Sequence, residues 1–241
     1  MPKAKYDEIY LDLRQAVEAG AYPYGSFLPS ENTLITQYDC SRNTIRRALA
    51  GQSEEGYIRP IHGKGVRVFY QPSERAAFTV GRIESFQESA NRNKLQVVTK
   101  VIQFRVMQVD QELAEKSGFP TGEEVYDIQR VRYLDGKPLI LDSNVFLKAL
   151  LPGLTADIAE HSIYAYIERE LNMQVATSKR TITVEHATQE DQRLLDLGDY
   201  NCLAVVSSQT FNSDGILFEY TQSRHQPDYF SFHDTATRKR V

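Results

Sequence analysis

The segment 30–49 constrains the fold of this chain more than any other, because it predicts two short helices with almost nothing between them. Ser30 and Ser41 are each well placed to cap a helix, since a serine side chain accepts a hydrogen bond from a free N–H of the first turn. Only two residues separate the first helix from the second cap, and one of them, Asp39, tolerates the left-handed conformation that such a tight turn requires. Two helices joined in this way are typical of a helix-turn-helix unit.

The second helix of this pair has two chemically different faces. Ile45 and Leu49 lie four residues apart and are expected to hold the helix to a core. Arg42 and Arg46 lie one turn apart on the opposite face, about 6 Å from each other. The planar donor fork of arginine matches O6 and N7 of guanine in the major groove. The pattern therefore predicts a recognition helix, although an exposed helix with solvated arginines would show the same spacing.

A Gly-rich basic turn follows this helix. Two short strands, 57–61 and 66–69, flank the sequence His62-Gly63-Lys64-Gly65, which indicates a β-hairpin. The glycines let the backbone approach a phosphate or the minor groove closely, and Lys64 adds a positive charge. An ordinary hairpin turn would look similar, but the place of this hairpin directly after the recognition helix favours the wing of a winged-helix domain.

The charge distribution supports DNA binding by this region alone. The whole chain of 241 residues has a net charge of −4, yet the window from Ser41 to Tyr70 holds six basic and two acidic residues, a local charge of +4. A basic patch on an acidic chain is typical of a small DNA-binding module joined to a ligand-binding partner. The length agrees with this organisation, since it corresponds to one large domain or two modest ones.

Composition argues against several other classes of protein. With 41% hydrophobic and 25% charged residues the chain resembles an ordinary globular protein, so extensive disorder is not expected. It has no apolar run of about 18 residues and no signal-peptide pattern at its start, which predicts a cytoplasmic protein without a membrane segment. Two cysteines, Cys40 and Cys202, are too few for a disulfide framework or a four-ligand zinc site. We therefore expect neither a metal nor a cofactor.

The chain is expected to form a winged-helix domain at 1–70, a polar linker at 71–77 and a second domain at 78–241. In the second domain, strands joined by hairpins are interspersed with capped helices, which predicts an α+β fold with an antiparallel sheet. The expected strands are 97–107, 125–134, 139–146, 175–184, 202–211 and 216–225. The expected helices are 110–118, a helix that begins after Ser162, and a helix from Thr188 to Gly198.

Two arginines in the predicted strand 125–134 are candidates for binding an anion. Arg130 and Arg132 are two residues apart, so both side chains lie on one face of the strand. Two guanidinium groups that project together are costly unless water or an anion such as phosphate compensates them. Ser162 opens a helix whose first N–H groups would also favour a phosphate, although most serines at this position only cap the helix. Exposed arginines on a sheet and a plain helix cap are the alternative interpretations.

Charged residues in the neighbouring strands, namely Asp142, Glu219 and Arg224, are candidates for binding sugar hydroxyls. Their placement depends on the predicted two-residue hairpin turn at Asp135-Gly136. In an ideal hairpin of this kind Gln129 lies opposite Asp142. That pairing turns Asp142 away from the two arginines unless a β-bulge intervenes.

The order of the parts LPSENTLITQYDCSRNTIRRAL and EEGYIRPIHGKG resembles the GntR family of bacterial transcription regulators over residues 5–70. The resemblance implies contacts with DNA bases by Arg42 and Arg46. It also implies contacts with the DNA backbone or groove, or further contact positions, for a second set of residues: Asn32, Ser41, Thr44, His62, Gly63 and Lys64.

Two features depart from the pattern of this family. Asp39 stands where the family usually has glycine, and Gly51-Gln52 interrupts the expected apolar end of the recognition helix. A glycine inside a helix costs about 1 kcal/mol relative to alanine. The second departure is therefore expected to affect stability more than DNA recognition.

The second half of the chain resembles the UTRA effector domain of the HutC-type subfamily, in segments such as QRVRYLDGKPLILDSNVFL, HSIYAYIEREL and LFEYTQSRHQPDYFSF. Within that subfamily it is similar to the trehalose operon repressors. The resemblance implies a chorismate-lyase-like domain without catalysis, a homodimer, and trehalose 6-phosphate as the inducer. It assigns the phosphate to Arg130, Arg132, Ser162 and Tyr164. It assigns the sugar to Asp142, Glu219, Ser85 and His225.

We therefore expect a dimeric repressor that binds an inverted-repeat DNA operator and is released by a sugar phosphate. Another ligand, such as glucosamine 6-phosphate or a non-phosphorylated acid, would be compatible with the same class of regulator. An enzyme acting on a sugar phosphate, with an accessory DNA-binding module, is the alternative of a different class, and its carboxylates would be Glu185, Glu219 and Asp142. The chain has no nucleophile–base motif, no metal-ligand spacing and no G-x-S-x-G sequence, so an enzyme is not expected.

Overall fold

The chain folds into two compact units in a computed structural model that describes residues 5–71, 77–79, 83 and 96–233. The N-terminal unit contains three helices followed by a two-stranded sheet. These elements are α1 (Lys5–Glu18), α2 (Glu31–Tyr38), α3 (Arg42–Glu54), β1 (Ile58–Ile61) and β2 (Gly65–Val68). Helices α2 and α3 and the hairpin of β1 and β2 are those that the sequence predicts, so the winged-helix interpretation is confirmed.

An apolar cluster holds the N-terminal unit together. The inward face of α1 contributes Ile9 and Leu13, and α3 contributes Ile45 and Leu49, all of which are buried. Removing a side chain of this kind from water stabilises a fold by about 1.5–3 kcal/mol. Leu34 anchors α2 to the same cluster. The short helix α2 is therefore held by tertiary packing rather than by helix propensity.

Serine caps and a left-handed turn join α2 to α3 as the sequence predicts. The Ser30 hydroxyl accepts a hydrogen bond from the backbone N–H of Thr33 at 3.1 Å, and the Ser41 hydroxyl accepts one from Thr44 at 3.2 Å. Asp39 follows α2 with a φ of +45°, in the left-handed region. The aspartate thus provides the conformation for which a glycine is the usual choice.

The sequence Gly51-Gln52, which interrupts the apolar pattern of α3, has a packing role. A Cβ atom at position 51 would lie 3.3 Å from Cδ2 of the Tyr10 ring, so the glycine lets α1 and α3 approach closely. Gln52 is fully buried, and its Nε2 donates a hydrogen bond to the backbone carbonyl of Tyr10 at 3.0 Å. The intrinsic helix cost of the glycine is thus offset by closer contact between the two helices.

The larger unit is an α+β structure built on an antiparallel sheet, as the sequence predicts. A short strand pair precedes and follows it: β3 (Ala77–Thr79) and β10 (Ser231–His233). The main sheet contains β4 (Val97–Gln108), β5 (Glu124–Leu134), β6 (Lys137–Leu147), β7 (Val175–His186), β8 (Cys202–Asn212) and β9 (Leu217–His225). The helices are α4 (Gln111–Ser117), α5 (Ala156–Glu160), α6 (Ile163–Arg169) and α7 (Gln189–Leu194), with 3₁₀ turns at Lys148–Leu150 and Pro227–Tyr229.

The main sheet has helices on both faces. Its strands lie in the order β4-β5-β6-β9-β8-β7, and every neighbouring pair is antiparallel. Helices α5 and α6 cover part of one face, where Ile128 and Phe146 pack with Ile163. The segment after α7 covers part of the opposite face, where Leu195 packs with Leu203. The hydrophobic core of the larger unit is therefore divided by the sheet into two layers.

A buried ion pair fixes α7 against the sheet. The Nε of Arg224 on β9 lies 3.0 Å from Oδ1 of Asp191, which is fully buried on α7. Asp191 also forms a capping box with Thr188 at the start of the helix. The Nη1 of the same arginine donates to Glu185 on β7 at 2.6 Å. One guanidinium thus holds a helix and the edge strand together.

Helix α7 ends earlier than the sequence predicts. The expectation that it runs from Thr188 to Gly198 is wrong, because Leu195 already has an extended backbone. The backbone N–H of Asp196 donates to the carbonyl of Pro138 at 2.8 Å instead of continuing the helix. Gly198 lies in the turn that follows, with a φ of +55°. A contact with another strand therefore decides where the helix stops.

A β-bulge changes the register of the β5–β6 hairpin. Leu139 has no partner on β5, so the strand beyond it is shifted by one residue relative to an ideal two-residue hairpin. The expected pairing of Asp142 with Gln129 is therefore wrong, and Asp142 lies directly opposite Arg130. Because opposed residues of antiparallel strands lie on the same face, Asp142 shares the face of Arg130 and Arg132.

Within the described ranges, no helix is long and apolar enough to cross a membrane. No group of three or more His, Cys, Asp or Glu side chains comes together there as a metal site would. Cys40 and Cys202 are both free thiols.

Candidate DNA-binding surface and effector site

The two predicted base-reading arginines lie on the exposed face of α3. Ile45 and Leu49 turn the other face of the helix into the core. The guanidinium of Arg42 donates from Nη2 to Oδ1 of Asn32 at 2.9 Å. The Nε of Arg46 donates to Glu31, with the nearer carboxylate oxygen at 3.1 Å. The first turn of α2 therefore supplies a partner for each arginine of α3.

These partners position the arginines, but the bonds contribute little free energy. The side chains of Arg46 and Glu31 are 61% and 35% exposed, and an exposed ion pair contributes only about 0–1 kcal/mol. A guanine edge in a desolvated groove offers a stronger, bidentate partner to the same guanidinium. The sequence analysis did not predict that Glu31 would pair with Arg46.

The remaining predicted DNA contacts surround this face. Ser41 and Thr44 are joined by a hydroxyl–hydroxyl hydrogen bond of 2.8 Å at the start of α3. In the wing, His62, Gly63 and Lys64 form the exposed turn between β1 and β2, and Gly63 has a φ of +72°. The structure places these residues at the surface of the N-terminal unit, and their contact with DNA stays a prediction.

Arg47 shows that not every arginine of α3 is available for reading bases. Its guanidinium lies over the ring of Tyr6 on α1, 3.7 Å from the ring centroid. A cation–π contact of this kind stabilises the packing of two helices. Arg47 is therefore a structural neighbour of Arg46 with a different role, and it offers a matched control in the same helix.

In the larger unit, Arg130, Arg132 and Asp142 form a buried cluster. Their side chains are 6–8% exposed. The Nε of Arg132 donates to Oδ2 of Asp142 at 2.8 Å, and its Nη1 donates to the hydroxyl of Thr99 at 2.8 Å. Nη2 of Arg130 lies 3.9 Å from the same carboxylate oxygen. One carboxylate thus serves two guanidinium groups, which leaves an excess of positive charge at this point.

Arg130 is otherwise held by neutral groups. Its Nε donates to Oδ1 of Asn144 at 3.0 Å, and its Nη1 donates to the backbone carbonyl of Ala159 at 3.2 Å. Nδ2 of Asn144 in turn donates to the hydroxyl of Thr221 at 2.7 Å. Arg130 is therefore connected through an amide to the neighbouring strand β9.

The same network continues to Glu219 and Tyr164. The hydroxyl of Thr221 donates to Oε1 of Glu219 at 2.8 Å. The phenol of Tyr164 on α6 donates to Oε2 of this carboxyl group at 2.6 Å. The structure thus brings five of the predicted effector residues into one network of hydrogen bonds and ion pairs: Arg130, Arg132, Asp142, Tyr164 and Glu219.

Burial and mutual charge shift the protonation of this network. Burial, and then the charge of Arg132, lower the pKa of Arg130 to about 9. Burial acts to raise the pKa of Asp142, but the charges of Arg132 and Arg130 outweigh it and hold that pKa below its usual value. Burial raises the pKa of Glu219. A neutral Glu219 leaves the positive charge of Arg130 and Arg132 less compensated. An anionic ligand would supply the missing negative charge.

The other predicted effector residues have different positions. His225 is buried on the same face as Arg132, and burial lowers its pKa to about 4, so its ring is neutral near pH 7. Ser162 caps α6, since its hydroxyl accepts a hydrogen bond from the backbone N–H of Ala165 at 3.2 Å. Ser85 lies outside the described residues.

The two residues that link Arg130 to Glu219 were missed by the sequence prediction. Asn144 and Thr221 each lie two residues from a predicted site residue, Asp142 and Glu219 respectively. Side chains two apart in a strand share a face, so the period of the strand was the signal that would have found them. The geometry also separates the carboxylates of the enzyme alternative: Glu185 pairs with Arg224 on the opposite face of the sheet from Glu219.

A winged helix with exposed arginines, together with a separate sheet that buries a cationic cluster, defines a DNA-binding regulator with a ligand-binding unit. Sequence comparison agrees with both parts. Residues 5–68 match the profile described as "Bacterial regulatory proteins, gntR family", and residues 92–231 match the UTRA domain. The chain therefore belongs to the GntR family and is a transcriptional repressor of the type that carries a UTRA domain.

Individual relatives support this assignment. The HTH-type transcriptional regulator TreR of Bacillus subtilis (strain 168) is 37% identical over 234 residues, which cover 97% of this chain and 98% of the relative. The crystal structure of a possible transcriptional regulator, YydK of Bacillus subtilis, has the same fold, with a TM-score of 0.82 at 24% identity over 97% of this chain and all of that one. The effector-binding domain of the B. subtilis trehalose repressor TreR matches with a TM-score of 0.54 at 36% identity, covering 59% of this chain and 99% of that domain.

These relatives also decide between the classes of function. Like the relatives that it matches over most of its length, the chain is a regulator and not an enzyme. Its N-terminal unit binds DNA, and its UTRA domain binds a small-molecule effector.

Proposed function

We propose that this chain is a cytoplasmic, homodimeric repressor that binds an inverted-repeat operator and is released by a sugar phosphate, trehalose 6-phosphate. The observation that carries the proposal is the buried arrangement of Arg130 and Arg132 around one carboxylate, that of Asp142. A phosphate oxygen fits such a pair because arginine offers several donors in one plane. The relative whose solved effector domain is 36% identical to this chain is named as a trehalose repressor.

The proposed domains are a DNA-binding domain at 1–70, a linker at 71–77 and an effector domain at 78–241. Two identical recognition helices related by a two-fold axis require two half-sites, so the operator is an inverted repeat. The DNA contacts come from α2, α3 and the wing: Asn32, Ser41, Arg42, Thr44, Arg46, His62, Gly63 and Lys64.

In the effector domain the phosphate and the sugar have different partners. The phosphate is held by Arg130, Arg132, Ser162 and Tyr164. The sugar is held by Asp142, Glu219, His225 and Ser85. The inducer must bind the form with low DNA affinity better than the DNA-bound form, since equal affinity would shift nothing. A coupling of about 1–3 kcal/mol lowers operator affinity roughly 5- to 150-fold.

A thermal-shift titration tests the effector half of this proposal. The full chain is titrated in phosphate-free buffer with trehalose 6-phosphate, free trehalose and glucosamine 6-phosphate. We expect a saturable rise in Tm with trehalose 6-phosphate alone, because a ligand that binds only the folded state stabilises it. A response to glucosamine 6-phosphate alone would indicate that the regulator senses an amino-sugar phosphate instead. If free trehalose raised Tm as much as trehalose 6-phosphate does, the proposed recognition of the phosphate would be wrong.

Substitution of Arg46 tests the DNA-binding half. The probes are a duplex selected by the wild-type chain from a random-sequence pool and a scrambled duplex of the same length. We expect Arg46→Ala to lose the preference for the selected duplex, a loss of about 1–3 kcal/mol for one bidentate guanine contact. Arg47→Ala, which removes the same charge from the same helix, should retain the preference. Equal ratios for wild type and Arg46→Ala would contradict the assignment, and unchanged binding of trehalose 6-phosphate would show that the variant is folded.

A further inference from the structure

The face of the sheet that carries the arginine pair extends beyond the network already described. Strand pairing is continuous from β5 through β6, β9 and β8 to the edge strand β7. Asn144 lies opposite Thr221, Thr221 opposite Ser208, and Ser208 opposite Arg180. Residues opposed in this way point to the same face, so a row of polar side chains leads from the network to Arg180 on β7.

Arg180 differs from the other arginines of this face. Arg130 and Arg132 are buried and bonded, whereas Arg180 is exposed and has no hydrogen bond or ion pair within the described ranges. Ser208, its neighbour on β8, is only half-buried. The outer end of the row therefore offers an available guanidinium beside a hydroxyl group.

The charge of Arg180 also acts on a residue of the effector network. Burial raises the pKa of Tyr164 well above its usual value, and the charge of Arg180 acts in the opposite direction on the same phenol. Tyr164 is hydrogen-bonded to Glu219, which lies within the network. This agrees with the strand register, which sets Arg180 two strands from Thr221 on the same face.

The spacing of the strands gives the length of ligand that would reach both ends of this row. From β5 to β7 there are four steps, and at about 4.8 Å per step the backbones are roughly 19 Å apart. A ligand whose phosphate is held at Arg130 and Arg132 must therefore extend along this row, past Thr221, to approach Arg180, and a second sugar ring adds to its reach. A monosaccharide phosphate held at Arg130 and Arg132 is one ring shorter.

We propose that Arg180 binds the sugar ring farthest from the phosphate and selects disaccharide phosphates over monosaccharide phosphates. The inference rests on the function proposed above, because it takes the phosphate to lie at the arginine pair on β5. A guanidinium donates hydrogen bonds to ring and hydroxyl oxygens, and Ser208 both donates and accepts them. Arg180 is then a specificity-determining residue, while Arg130 and Arg132 supply the affinity for phosphate that both ligand classes share.

Calorimetric titration of Arg180→Gln tests this assignment. The ligands are trehalose 6-phosphate and glucose 6-phosphate, which differ by one glucose ring. Lys179→Gln is the matched control, because it removes one positive charge from the adjacent position of β7 on the opposite face of the sheet. Light scattering of each variant shows whether a change at this edge strand alters the oligomeric state.

We expect Arg180→Gln to weaken trehalose 6-phosphate about 10-fold, the size of a lost hydrogen bond to a charged group. Binding of glucose 6-phosphate should stay within about 2-fold of wild type, and Lys179→Gln should bind both ligands like wild type. Equal weakening of both ligands, unchanged binding of both, or a change in mass would overturn the role of Arg180. Failure of the wild-type chain to bind trehalose 6-phosphate would instead overturn the proposed function, and the role of Arg180 with it.

Discussion

Replacing Asp142 by asparagine removes the carboxylate that Arg130 and Arg132 share while keeping the shape of the side chain. In the wild type the carboxylate lies 2.8 Å from Arg132 and 3.9 Å from Arg130, and all three side chains are nearly excluded from water. Breaking a buried ion pair by removing one partner costs about 3–5 kcal/mol. Because asparagine still offers an oxygen to Arg132, we expect a loss near the lower end, about 3 kcal/mol.

The assay for Asp142→Asn is calorimetry of the full chain in phosphate-free buffer at pH 7. A loss of about 3 kcal/mol corresponds to a Tm roughly 6–12 °C lower for the transition of the larger unit. The wild-type contribution is fully present at this pH, because the lowered pKa of Asp142 keeps the group ionised until the solution is strongly acidic. Inorganic phosphate should restore more of the Tm in the variant than in the wild type, since the anion replaces the missing charge.

A control separates this effect from any loss of an acidic residue on β5 or β6. Asp127 is 14% exposed and pairs with Arg105 at 2.7 Å, but that arginine is 58% exposed, so Asp127→Asn should cost clearly less than Asp142→Asn, about 1 kcal/mol. The reasoning is refuted if Asp142→Asn melts like the wild type, or if Asp127→Asn loses as much. It is also refuted if phosphate stabilises the wild type and Asp142→Asn equally.

Two further predictions concern the core of each unit. Gly51→Leu should destabilise the N-terminal unit by about 1–3 kcal/mol in urea unfolding, because a side chain at position 51 would meet the Tyr10 ring, 3.3 Å from its Cβ atom. Ala50→Leu, on the exposed side of α3, should leave the stability unchanged. Equal unfolding midpoints for the two variants would contradict the packing role of Gly51. His225, whose pKa burial lowers to about 4, should make the wild type lose stability as pH falls from about 6.5 to about 4, because only the unfolded chain binds the proton there. His225→Gln should flatten the stability profile in that window, and an unchanged slope would show that other groups cause it.

The helix-turn-helix unit was predictable from sequence because its structural signals are local. The caps at Ser30 and Ser41 and the left-handed turn at Asp39 depend on residues within a few positions of each other, and all three are found as expected. The bond between Glu31 and Arg46 was not predictable in this way, because it joins residues on two helices. The same limit applies to Gln52, whose burial against α1 depends on a contact 42 positions away.

In the larger unit the strands were predictable and their register was not. Alternation and turn signals located β4 to β9, but no local signal places a bulge at Leu139 rather than an ideal turn at Asp135-Gly136. The relation of Asp142 to Arg130 depends on that register, so the sequence alone could not decide whether Asp142 lies on the same face as the two arginines. The end of α7 was likewise set by a bond to Pro138 from outside the helix.

The bulge at Leu139 gives the β5–β6 hairpin one residue more than regular strand pairing needs. Counted from the turn, Asp142 is one position out of phase with Arg130, and the unpaired residue absorbs the difference. A chain shorter by one residue between the turn and Asp142 could form the regular hairpin without a bulge and still set the same carboxylate against the same arginine. Two regulators whose hairpins differ by one residue can therefore present the same cluster, so a gap at this point of an alignment is no sign that the site has been lost.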